Sequence, residues 1–316
     1  MQSFKRILVV IEHDKVHKSN SAVQRGVELA KKDNASLTLM TVIPHPKKLV
    51  ADLVGVISEL VGVISEEELI DKFKNMRESE LSALADTFRD EIAVQTVTSV
   101  GREFIETIRQ VVLGDHDLLI KMARVEETGF DSSDFHLMRK CPQPVWLVKS
   151  RKTKPKKLLA AIDLSLEKEQ EGKQLNARIM DLSLSLASAY SADIEILSCW
   201  SIYGESSLRS GGFFRFSDEQ MNDLINKEEQ ANLQKQNDFI ARYTDTNIIG
   251  HVRKGDPTIV IPEFVNSNKV DILVMGTVAR TGIPGLLIGN TSETILNKMS
   301  TSVLTLKPVD FQSIIT

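Results

Sequence analysis

The sequence predicts an α/β protein of two tandem domains, each a five-stranded parallel-type sheet with helices between the strands. Three observations carry this. Residues 5–12 read KRILVVIE and residues 156–163 read KKLLAAID, so an apolar run flanked by base and ended by an acid occurs twice. DLLIK at 117–121 is matched by DILVM at 271–275, and PVWLVK at 144–149 by SVLTLK at 302–307, in the same order in both halves. Continuous apolar runs of this kind suit strands buried on both faces, as in a parallel sheet, and repeats of a whole strand order mark repeated domains.

The remaining elements fit the same pattern. Residues 21–32 place Val23, Val27 and Ala30 on one helical face, with Ser19 or Asn20 able to cap the start. Residues 102–113 bring Ile105, Ile108 and Val112 together, and 174–188 and 257–265 behave likewise. Strand-like runs at 36–43, 93–100, 193–200 and 247–252 complete five strands per half. Alternating strands and helices imply right-handed crossovers. The domains are expected at 1–150 and 156–309. The segment SRKTKPKK at 150–157 reads as a solvated linker, although a basic run with a proline could touch phosphates.

One local feature stands apart. LVGVISE at 53–59 is repeated letter for letter at 60–66. A seven-residue period keeps apolar residues on one helical stripe. The stripe is either a surface for a partner, lipid or second subunit, or a packed helix lengthened by duplication. Gly55 and Gly62 each weaken such a helix by ~1 kcal/mol relative to alanine.

Composition narrows the function. A net charge of −4 gives no electrostatic case for nucleic acid. Two cysteines, Cys141 and Cys199, cannot build a disulfide framework or a four-ligand zinc site, and their scarcity suits a reducing cytoplasm. No run approaches the ~18 apolar residues of a membrane span. The N-terminal apolar run is too short for a signal peptide. No Ser-His-Asp, paired-carboxylate or zinc signature appears, so a catalytic role has no support in the sequence. Cys141 reads as a small core residue. Residues 204–218, GESSLRSGGFFRFSD, predict a mobile loop whose phenylalanines either form a lid or pack on the domain.

The most specific string follows the strand at 271–275: GTVARTGIPGLLIGNTSE at 276–293, before a helix-like run at 293–299. Beyond the carboxyl end of a parallel strand, a glycine lets backbone approach a phosphate, and a helix start directs free N–H groups at it. Hydroxyls on Thr291 and Ser292 can cap the helix or meet the phosphate. A plain strand–loop–helix turn would use the same glycines.

This string resembles the phosphate loop of the universal stress proteins, written G-x-x-G-x9-G-S/T, with Gly276, Ala279, Gly289 and Asn290 at the aligned positions. The spacing is kept, while Ala279 stands for a glycine and Asn290 for a serine or threonine. The ArgThrGly and GlyAsnThr elements, HDLLIKMA at 116–123 and MRKCP at 138–142 are similar to the tandem E type of that family, and the resemblance covers about the whole chain. It implies an adenine nucleotide alpha hydrolase-like, Rossmann-like fold and a cytoplasmic regulator of stress tolerance. The ligand it implies is ATP or another nucleotide with magnesium, held weakly because of the two departures, and at most slowly hydrolysed. The alternative is a module without nucleotide that holds a lipid-like metabolite or a protein in apolar crevices. The resemblance places an acid near the nucleotide at the end of the first strand, here Asp163, which would otherwise cap the next helix. It places the adenine against Ser198 and Cys199, and the phosphates against Gly276, Ala279, Gly289, Asn290 and Thr291. In the first half, Glu12 matches Asp163, Met122 falls opposite Gly276 and Asp131 opposite Gly289, so that half is expected to be degenerate for nucleotide. Family dimers further imply an internal pseudo-dimer in which 145–148 and 303–306 pair antiparallel or pack face to face, with a homodimer as a further level of assembly.

Overall fold

The computed structural model describes residues 3–12, 16–17, 20–44, 66–124, 128–149, 154–211, 216–244, 247–277, 289–313 and 315. The first half runs β1 (Arg6–Ile11), α1 (Ser21–Asp33), β2 (Ser36–Ile43), α2 (Glu66–Asp86), β3 (Val94–Val100), α3 (Glu103–Leu113), β4 (Leu118–Met122), α4 (Ser132–Lys140) and β5 (Val145–Val148). The second runs β6 (Lys157–Ile162), a 3-10 turn (Leu164–Lys168), α5 (Gln170–Tyr190), β7 (Asp193–Trp200), α6 (Glu205–Ser210), α7 (Asp218–Ile240), β8 (Ile248–Lys254), α8 (Pro257–Ser267), β9 (Ile272–Gly276), α9 (Asn290–Asn297) and β10 (Ser302–Leu306).

All ten strands form one sheet in the order β3-β2-β1-β4-β5-β10-β9-β6-β7-β8. Neighbours within each half are parallel. The halves meet through β5 and β10, which pair antiparallel with Val145 opposite Thr305, Trp146 opposite Leu304 and Leu147 opposite Val303. The expected pseudo-dimer is therefore a continuous sheet. Joining the two apolar last strands satisfies backbone groups that two bare edges would leave open.

The apolar runs are buried on both faces. Ile7, Val9 and Ile11 enter one core layer with Trp146, Leu158, Ala160, Leu304 and the inner face of α5, and this layer crosses the junction between halves. Leu8 and Val10 enter the opposite layer with Leu147, Leu159, Leu273 and Val303. Asn20 caps α1 as expected, its Oδ1 accepting from Ala22 N at 2.9 Å and Val23 N at 3.4 Å.

Two regions differ from the sequence reading. The loop expected at 204–218 contains α6, and Ser217 opens α7 with a capping box that uses Gln220. Long α7 buries only Met221, Gln236 and Phe239, too sparse an apolar stripe for periodicity to reveal. Helix α5 begins at Gln170 rather than 174, because a 3-10 turn capped by Asp163 leads into it. The duplicated LVGVISE lies outside the described residues except for Glu66, the first residue of α2.

Candidate functional site

In the second half the chain passes from β6 to β7 and β8 on one side, then crosses to β9 and β10 on the other. The reversal puts a crevice at the carboxyl ends of β6 and β9, where ligands of open α/β sheets bind. Asp163 and Gly276 stand at that edge, since Ala161 is level with Met275 in the ladder.

Asp163 ends β6 and caps the following turn. Its Oδ1 accepts from Ser165 N at 3.0 Å and from Ser165 Oγ at 2.5 Å. Asn176 of α5 braces its backbone on both sides, accepting from Asp163 N at 3.3 Å and donating to Asp163 O at 3.0 Å. Gly276 is close to α5 as well: a Cβ there would come within 2.8 Å of Leu175 Cδ2. Packing thus gives Gly276 a reason independent of any ligand.

Two hydrogen bonds fasten the start of α9 to the end of β9. Ser292 Oγ donates to Gly276 O at 3.2 Å, and Gly289 N donates to Thr277 O at 3.1 Å. Ser292 is buried, and its hydroxyl is engaged in this bond rather than in capping the helix. Gly289 is the N-cap residue and supplies no side chain, while Asn290 and Thr291 are exposed on the first turn. The N-cap residue thus gives the positive end of α9 no capping side chain, an arrangement that favours an anion.

Ser198 and Cys199 lie on β7, level with Val252 and Arg253 of β8. The Ser198 hydroxyl is buried and accepts from Gln236 Nε2 of α7 at 2.9 Å. Burial pushes the Cys199 thiol up to about 12, with Asp163 and Asp256 adding to the shift, so it stays neutral. Those two carboxylates put Asp163, Cys199 and the start of α8 in one electrostatic neighbourhood. Ala279 lies outside the described residues.

The same switch point in the first half, between β1 and β4, is occupied by the protein's own charges. Lys121, wholly buried on β4, lies 2.8 Å from Asp134, 3.5 Å from Glu103 and 4.0 Å from Glu12. Arg124 reaches Glu12 at 3.0 Å, Glu103 at 3.3 Å and Asp131 at 2.9 Å. Asp131 also caps α4, accepting from Asp134 N at 2.7 Å. Burial alone would lower Lys121, but Asp134, Glu103 and Glu12 outweigh it and hold the ammonium charged. Asp134 is pushed up to about 6 by burial, against Lys121 and with help from Asp131. Both directions follow from four carboxylates facing two cations.

The sequence reading centred on Met122 and the acids; Lys121, Arg124, Glu103 and Asp134 were missed. Their signal was present. A lysine inside the apolar run DLLIKM, at the place of Met275 in the second half, demands buried counter-charge.

The class of protein follows from this double fold. The Universal stress protein family is matched at residues 3–149 and again at 155–307, so the chain belongs to that family and carries its domain twice. It is homologous to Universal stress protein E. The relative of that name in Salmonella typhi is 30% identical over 219 residues, covering 67% of this chain and 68% of that one. The homolog from Haemophilus influenzae is 25% identical over 314 residues, covering 96% and 98%. Two solved structures from Pseudomonas aeruginosa share the fold. A functionally unknown protein of strain PAO1 has a TM-score of 0.73 at 23% identity, covering 98% of this chain and 94% of that one. A putative universal stress protein of strain UCBPP-PA14 has a TM-score of 0.72 at 24% identity, covering 98% and 95%.

Proposed function

We propose that the chain is a regulator of stress tolerance in the cytoplasm that binds one nucleotide, or another phosphate-bearing ligand, in the crevice of its second half. The observation that carries this reading is the contrast between two equivalent switch points. The first is filled by Lys121, Arg124 and four carboxylates. The second presents the start of α9, whose glycine N-cap supplies no side chain, beside Gly276 and Asp163. The phosphates would lie over Gly276, Ala279, Gly289, Asn290 and Thr291, with a nucleotide base towards Ser198 and Cys199, and Asp163 near the ribose or a magnesium ion. The first half puts its own paired charges at the equivalent place, so no second copy of that ligand is expected there. Among the described residues, no helix is long and apolar enough to cross a membrane. None of their features favours the lipid-like or protein-binding alternative.

Titrating magnesium-ATP by calorimetry tests this. One site per chain is expected, with weak affinity. Gly289→Val should abolish the binding by covering the first amides of α9. Unchanged affinity in that variant would put the ligand elsewhere. The double reversion Ala279→Gly with Asn290→Ser restores the family letters. Two regained contacts at ~1–1.5 kcal/mol each should tighten ATP binding by roughly one to two orders of magnitude. Micromolar binding by the wild type, unimproved by the reversion, would show that the two departures cost nothing.

A further inference from the structure

Lys307 follows β10 and is 3% exposed. Its Nζ donates to Met138 O of α4, in the other half, at 2.6 Å, and to Thr277 Oγ1 at 2.7 Å. It also lies 5.1 Å from the centre of the Phe311 ring. Among the described residues no carboxylate pairs with it. A buried ammonium without a counter-ion is costly, and burial pushes Lys307 down to about 7.

Of its neighbours, Cys141 opposes this fall without overcoming it. Cys141 is held neutral, its thiol pushed up to about 12 by burial. Arg139 of α4 adds positive charge, although Glu293 of α9 pairs with it. Arg178 of α5 donates to the Lys307 carbonyl at 2.7 Å. The first half places Lys149 at the matching point after β5, donating to Gly129 O at 2.7 Å and, across the junction, to Met299 O at 2.9 Å. Each half therefore sends the lysine after its last strand into the other.

The two lysines differ in what they touch on their own side. Lys307 bonds the Thr277 hydroxyl, and the carbonyl of that same residue accepts from the amide of Gly289, the N-cap of α9. The buried lysine, with no carboxylate partner among the described residues, thus stands one residue behind the start of α9. We propose that Lys307 is a positioning residue for the anion site of the second half: it braces Thr277 beneath α9, and it takes up a proton when a phosphate-bearing ligand supplies the missing negative charge. This rests on the reading of the site given above. It adds a proton linkage to that reading and a mechanical tie to α4 of the other half.

Calorimetry with magnesium-ATP, run in two buffers of unlike ionisation heat, counts the protons. Raising the Lys307 pKa by one unit on binding predicts uptake of roughly half a proton per ATP near pH 7.5. It also predicts an affinity about sixfold higher at pH 6.5 than at pH 8.5. Lys307→Met should bind more weakly at pH 6.5 and lose both the uptake and the pH dependence. Lys307→Arg, whose charge does not titrate, should lose the uptake while still binding. Proton uptake by either variant equal to the wild type's would overturn the proposal, and the arginine variant decides the matter if the methionine variant does not fold. Wild-type binding without proton uptake sinks the lysine linkage alone. Absence of any ATP binding by the wild type sinks the site itself, and the linkage with it.

Discussion

Lys121→Met is expected to cost about 3–5 kcal/mol of stability, although methionine is nearly isosteric and occupies the matching position, Met275, in the second half. The loss is electrostatic. Asp134 is wholly buried 2.8 Å from the Lys121 ammonium, and Glu103 lies 3.5 Å away. Removing the cation leaves an unpaired buried carboxylate, whereas the second half holds apolar partners around Met275. Adding Asp134→Asn should recover a large part of the loss, because the stranded charge goes with it. The sign of the pH dependence follows from Asp134, held near 6 against an ordinary 3.8. A folded-state value above the unfolded one means the folded protein binds this proton more tightly. Its contribution therefore opposes folding at neutral pH and relaxes as pH falls from about 6 towards 3.8. In Lys121→Met the value rises further, so the penalty should shrink on mild acidification. Urea denaturation at pH 7.5 and 5.5 measures both effects. A Lys121→Met variant as stable as the wild type at pH 7.5 would refute the account of the buried network.

Trp146→Ala should cost about 3–5 kcal/mol, the range for truncating a large buried aromatic. Trp146 is 1% exposed at the middle of the β5–β10 junction, opposite Leu304 and beside Ile120 of β4. Its ring meets Tyr190 of the other half edge-on, with centroids 6.1 Å apart at 67°. Arg25 of the first half covers that same tyrosine at 5.1 Å, so the cluster spans both halves. Trp146 Nε1 has no hydrogen-bond partner among the described residues, so the loss is one of packing. Because three residue pairs form the junction ladder, weakening it should also loosen the coupling between halves. Urea curves followed by far-ultraviolet dichroism and by fluorescence should coincide in the wild type and separate in the variant. A change below about 1 kcal/mol, with the curves still coincident, would place the coupling elsewhere.

Much of the fold was legible because burial on both faces leaves a plain mark. The runs KRILVVIE and KKLLAAID, with their matched followers, located β1, β4, β5, β6, β9 and β10 and established the repeat. Helix α7 escaped because its mostly polar face buries three residues, and the capping box at Ser217 was hidden inside a glycine- and serine-rich stretch. The loop motif was legible as spacing beyond the carboxyl end of a parallel strand, while the switch point beside it needed the strand order of the folded sheet.

The sequence by itself determined the tandem α/β architecture, since that depends on local pattern and one-dimensional order; for the last strands the family resemblance left antiparallel pairing and face-to-face packing both open, and the folded sheet chose the first. Only the tertiary structure decided how the charges are used. Glu12, Glu103, Lys121, Arg124, Asp131 and Asp134 come from four separate stretches, and chain crossing brings them to one point. Lys307 likewise looked like the polar end of a strand. Folding placed its ammonium against a carbonyl of the opposite half and behind the start of α9, because the antiparallel junction turns the last strand of each half towards the other. Long-range electrostatics depends on distances in space, and those distances are set by sheet order rather than by any spacing in the chain.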